Sequence, residues 1–85
     1  MDINELRKIT EENQDLSKCQ SAINVIDKYI EKNAKKGKDS FTVIPGLYDI
    51  YEDFELNYIK NYYLSKGFYI TENRMWKNGF TIDWW

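Results

Sequence analysis

The sequence predicts an α+β domain with the element order α-α-β-α-β-β, in which a small, mainly antiparallel three-stranded sheet packs against helices. Two apolar stripes at helical spacing and a strand-rich ending carry this prediction. The ending, Gly67 to Trp85, reads GFYITENRMWKNGFTIDWW and holds all three tryptophans of the chain. Its strand formers and its Asn78-Gly79 turn pair predict a β-hairpin as the floor for the helices. Eighty-five residues make one domain, 1–85, near the size at which burial only just offsets chain entropy. With 42% hydrophobic and 16% aromatic residues, the chain falls in the globular class.

Asp2 followed by Glu5 resembles a helix start, and Ile3, Leu6 and Ile9 give the first helix a thin apolar stripe. The pattern lapses at Asn13, Gln14 and Asp15, where a break or kink is expected. A single continuous helix also fits, because neither Gly nor Pro interrupts. Ser17 and Gln20 have the spacing of a capping box for the second helix. Leu16, Cys19, Ile23, Ile26 and Ile30 form its apolar stripe, widened by Ala22, Val25 and Tyr29. Its outer face is charged, with Glu31 and Lys35 in the favourable i,i+4 order. Lysines crowd its end, where they complement the helix dipole, and Gly37 is placed to close it.

Phe41-Thr42-Val43-Ile44 predicts a short strand that stops at Pro45-Gly46. Leu47, Ile50, Phe54, Ile59, Tyr62 and Tyr63 then predict a third helix, from about Leu47 or Glu52 to Lys66, with Gly67 as its C-cap. Two hairpin registers are open. Asn78-Gly79 as a two-residue turn would set Phe80 against Lys77 and Arg74 against Asp83. A longer loop, Glu72 to Asn78, would leave strands Phe68–Thr71 and Phe80–Trp84, and fits better because Asn73, Arg74 and Asn78 are poor strand residues. Either way Phe80, Ile82 and Trp84 share one face.

Composition also excludes. With no histidine in the chain, the usual general base near neutral pH is missing and nucleophile–histidine arrangements cannot be assembled. Cys19 lies on an apolar stripe and reads as a small core residue in a reducing compartment. Glycine-rich nucleotide loops are absent, and no enzymatic activity, cofactor or metal is expected. A net charge of -2 argues against general attraction to nucleic acid or anionic lipid. Without a signal peptide pattern or a long apolar run, a soluble protein of the cytoplasm is expected, with no membrane partner.

Three surface features compete as binding sites. Asp49, Glu52, Asp53 and Glu55 form an acidic cluster that either reflects a helix start or meets a basic partner. Lys32 to Lys38 either solubilise a helix end or contact phosphate. Trp84 and Trp85 point to opposite faces if the strand reaches them, so Trp85 either caps the sheet or anchors an interface that Trp76 enlarges. An exposed β-edge beside Trp85 offers a route to a homodimer.

Two functions fit these features. One is a protein that occupies another protein's surface. The other is a winged-helix-like nucleic-acid-binding regulator, with Arg74 and Lys77 as wing contacts and an acidic third helix as its weak point. The run F-T-V-I-P, a helix, L-x-x-K-G-F-x-I and a final F-T-I-D-W, from Phe41 to Trp84, resembles small accessory proteins of tailed bacteriophages and related mobile elements. That resemblance implies an anti-defence role in a bacterial host cell, of the anti-CRISPR kind, exerted by binding and inhibiting or redirecting a host protein or protein–nucleic acid complex. The contact residues expected are Trp85, Trp76, Arg74, Asp49, Glu52 and Asp53.

Overall fold

The computed structural model describes all residues, 1–85. Its elements are α1 (Ile3–Glu12), α2 (Ser17–Lys35), β1 (Ser40–Val43), a 3-10 turn (Pro45–Tyr48), α3 (Asp53–Ser65), β2 (Tyr69–Glu72) and β3 (Phe80–Asp83). The predicted α-α-β-α-β-β order holds, and the two N-terminal helices are separate.

The start of α1 follows its sequence signal, since the Glu5 amide donates to Asp2 Oδ1 at 2.9 Å. The start of α2 does not. Leu16 occupies the cap position without a side-chain bond, and the Ser17 amide donates instead to Asp15 Oδ1 at 2.9 Å. Asp15 reaches the same orphan N–H from two residues upstream and adds a negative charge to the positive helix end, which displaces the Ser17–Gln20 arrangement.

The strands form one antiparallel sheet in the order β1-β3-β2. The final strand is therefore central, and both of its edges are paired. This corrects the expected free edge beside Trp85: the open edges belong to β1 and β2. In the register, Phe41, Ile82 and Ile70 share one level, and Val43, Phe80 and Glu72 the next. Those side chains face the helices. The alternate positions, Thr42, Thr81 and Thr71, make a polar outer face on which the Thr42 and Thr81 hydroxyls lie 3.1 Å apart.

Of the two hairpin registers, the longer loop is the one formed, because Glu72 rather than Lys77 pairs with Phe80. The Asn73 amide donates to the Gly79 carbonyl at 2.9 Å and the Gly79 amide to the Trp76 carbonyl at 3.0 Å, which closes the loop. A Cβ on Gly79 would lie 2.9 Å from Trp76 Cβ, so this position has no room for a side chain.

The core joins Cys19, Ala22, Ile23 and Ile26 of α2, Ile50, and Leu56, Ile59 and Tyr63 of α3 to Val43, Phe80 and Ile82 of the sheet. Here α2 packs on β1 and α3 on β2. Edge-to-face rings run from Tyr62 through Tyr63 and Phe68 to Trp84, with centroids 5.0, 5.5 and 6.4 Å apart, a geometry favoured by the ring quadrupole.

Three expected core positions lie outside it. Val25 and Tyr29 turn toward a groove beside α2, and Leu47 is 76% exposed. Leu47 belongs to the 3-10 turn, because Asp49 takes a left-handed conformation (φ 60°) that ends that turn and delays α3 until Asp53. The first helix buries no residue, and it draws the molecule out to 52 Å against 24 and 21 Å in the other directions.

Candidate functional site

The predicted acidic cluster divides. Glu55 is buried and closes a reciprocal capping box with Glu52, whose amide donates to Glu55 Oε1 at 3.3 Å. Burial removes Glu55 from any acidic surface. Asp49 points toward α2, where its Oδ2 lies 3.2 Å from Lys18 Nζ. The Asp49 carboxylate and its hydrogen bond with Lys18 raise the lysine above its ordinary value. Glu52 and Asp53 remain exposed at the start of α3, and no group of three or more carboxylates and thiols is gathered where a metal would need them.

Cys19 is fully buried, with Sγ 3.7 Å from the Glu55 carbonyl oxygen. Burial pushes its thiol up, opposite to the direction that activates a nucleophile.

The tryptophans also divide. Trp85 follows the Asp83 end of β3 and, with Trp84, Gly37 and Lys38, lines a hollow beside the end of α2. It is 94% exposed. Trp76 stands at the opposite end of the strand, in the hairpin loop, and lines a second hollow with Ile44, Ile50, Tyr51 and Lys77. Trp76 is 46% and Tyr51 64% exposed. Arg74, Met75 and Lys77 are exposed in the same loop, while Tyr51 immediately precedes Glu52. The structure thus brings Trp76 and Lys77 beside Tyr51, in the segment that carries Asp49, Glu52 and Asp53, while Arg74 is placed only in the same hairpin loop and Trp85 lies a strand's length away. Tyr51 was missing from the predicted set. Its only sequence signal is an aromatic side chain outside the helical stripe, and that acquires meaning once the hairpin loop lies beside it.

Basic residues do not form one face. Lys35 ends α2 near Ser40, whose carbonyl accepts from Asn33 Nδ2 at 3.0 Å. Ser40 pairs with Asp83, whereas Arg74 and Lys77 lie beyond the Val43–Phe80 pair. The lysine group and the hairpin loop are at opposite ends of the sheet. On α3, Lys60 donates to Glu72 Oε1 at 2.8 Å and sits 5.3 Å from the Phe80 ring centroid, so this cation is already engaged. No helix is long and apolar enough to cross a membrane.

Compared with known proteins, the chain matches no protein-family model, and no curated protein or solved structure aligns with it significantly.

Proposed function

We propose that the chain is a non-enzymatic accessory protein of the phage type, which binds a host protein or protein–nucleic acid complex in the bacterial cytoplasm and inhibits or redirects it. The observation that carries the reading is the hollow at the hairpin-loop end, where Trp76 and Tyr51 present uncovered aromatic surface beside Ile44 and Ile50. Aromatic side chains in a concave, partly desolvated setting are the common anchors of protein interfaces. Lys77 lines the hollow, and Arg74 in the same loop and Glu52 and Asp53 directly after Tyr51 in the chain are exposed, so charges of both signs are available for a polar rim. The phage-type and anti-defence parts of the proposal rest on the resemblance over Phe41 to Trp84.

A winged-helix regulator is the alternative, favoured by the strand order β1-β3-β2 and by the cationic loop between β2 and β3. The separation of Lys35 from Arg74 and Lys77 weighs against it, as does the engagement of Lys60 by Glu72. Phosphate binding grows with the number of cations acting together, and here they are dispersed.

The test is affinity capture from a bacterial lysate with three chains: unaltered, Trp76→Ala with Tyr51→Ala, and Trp85→Ala. Protein captured by the first and third but lost by the second supports the reading. Equal capture by all three removes the hairpin-loop surface, and recovery of nucleic acid without protein replaces the proposal by the alternative.

A further inference from the structure

The hairpin-loop hollow leaves another apolar surface unexplained. Along α2, Val25 and Tyr29 face outward toward Leu47 and Tyr48 of the 3-10 turn, and Phe41 and Ile44 extend the groove along the open edge of β1. Tyr29 stacks on Phe41 with centroids 5.4 Å apart. Val25, Tyr29 and Leu47 are 41, 44 and 76% exposed, which is much apolar surface for so small a body.

A matching surface is present on the same chain. Ile3, Leu6 and Ile9 are 61, 51 and 45% exposed on α1, and nothing in the chain covers them. Ten residues is below the roughly 12–15 at which an isolated helix holds in water. Packing of its stripe is what would keep α1 helical. At 1.5 Å per residue α1 is about 15 Å long and fits within the roughly 18 Å rise of α2 from Ser17 to Tyr29.

The charges agree in sign. Asp2, Glu5 and Glu12 lie along one flank of the α1 stripe, at spacings of three and seven residues. Lys28 and Lys32, one turn from Val25 and Tyr29 on the exposed side of α2, are the cations that would meet these carboxylates, since Lys35 in the same patch is paired with Glu31 at 3.1 Å. The connector, Asn13 to Leu16, directs the helix outward. Asn13 and Gln14 amides donate back to Thr10 and Glu11, Asn13 Nδ2 donates to the Ile9 carbonyl, and the Ser17 amide is held by Asp15. With both ends of the connector bonded to the helices they adjoin, α1 points away from its own body and is free to meet another.

We propose that the chain forms a homodimer in which α1 of each copy lays its Ile3-Leu6-Ile9 stripe in the Val25-Tyr29-Leu47 groove of the other. Reciprocal exchange of a terminal element closes under a two-fold axis and needs no surface beyond those described. This inference does not rest on the hairpin-loop reading: the two surfaces adjoin at Ile44 and Gly46, but Val25, Tyr29 and Leu47 line only the groove, and Trp76 and Tyr51 only the hairpin-loop hollow.

Sedimentation velocity across the micromolar to sub-millimolar range, with unaltered protein, Leu6→Glu and Leu47→Glu, provides the test. Both altered side chains are exposed, so both variants keep their fold, which a thermal melt verifies. A dimer for the unaltered chain is expected, with its dissociation constant raised about tenfold or more by either variant. A chain that stays monomeric throughout, or a dimer indifferent to both changes, overturns the proposal. Oxidation of a Leu6→Cys, Leu47→Cys double variant separates exchange from folding back. Disulfide-linked dimers are expected, and a bridge formed within single chains overturns the exchange.

Discussion

The Tyr63 hydroxyl donates to Asp27 Oδ1 at 2.7 Å and also lies 3.3 Å from the Ile23 carbonyl oxygen, so the largest fully buried side chain of α3 is tied to α2. Tyr63→Phe keeps the ring in the core and removes the charge-assisted bond. A loss of about 1–2 kcal/mol is expected, because Asp27 is exposed and regains water. Tyr63→Ala also leaves a ring-sized cavity, and a loss of about 3–5 kcal/mol is expected. Urea unfolding of the three proteins checks both.

The same hydroxyl makes stability sensitive to alkali. Burial, with Asp27 beside it, pushes the Tyr63 phenol above the usual tyrosine range. The folded chain therefore holds this proton more tightly than the unfolded one. Its contribution is fully present below the ordinary value of 10.0 and is lost as pH rises beyond it. Thermal midpoints should fall more steeply above that pH for the unaltered protein than for Tyr63→Phe. Parallel slopes would show that Tyr63 does not set the alkaline limit.

Acid should loosen the start of α2. The Ser17 amide and hydroxyl hold the Asp15 carboxyl below its ordinary value of 3.8. A depressed value in the folded state means that the cap is present above 3.8 and lost as pH falls through the folded value. The Ser17 amide resonance should titrate with Asp15 in that window, and Asp15→Ala should abolish the titration while leaving the core resonances in place.

Gly79→Ala addresses the hairpin loop directly. The added methyl would meet Trp76 Cβ at 2.9 Å and the Asn73 carbonyl at 3.2 Å, both tied to backbone and with little freedom to move. About 1–3 kcal/mol of destabilisation is expected, with a change in Trp76 fluorescence. Trp85→Ala, at the uncovered far end, is expected to alter stability by less than about 0.5 kcal/mol.

Lys60 offers a measure of one semi-buried ion pair. It donates to Glu72 at 2.8 Å with its side chain 21% exposed, while Glu72 is 66% exposed. A double-mutant cycle between Lys60→Met and Glu72→Gln should return a coupling of about 0.5–1 kcal/mol that shrinks in high salt.

Local rules and the sequence alone determined much of this protein. Leu16 to Ile30 had to be a helix because its apolar residues recur at that period. Pro45 had to end β1, Gly37 and Gly67 could take the left-handed turns at φ 80° and 93°, and Asn73 to Asn78 had too little strand character to pair. Tertiary structure decided what depends on contacts distant along the chain. Central placement of β3 follows from which strands flank it, and no periodicity states that. Asp15 took the place of Gln20 as the partner of the Ser17 amide because several side chains compete for one N–H, and Glu55 left the acidic surface because its capping bond allowed it to be buried. Trp76 and Tyr51 share a hollow, and Trp85 stands apart, because β3 carries the two tryptophans to opposite ends of the sheet. A one-dimensional pattern records which face of an element is apolar, whereas the neighbour that face meets is set by the packing of the whole chain.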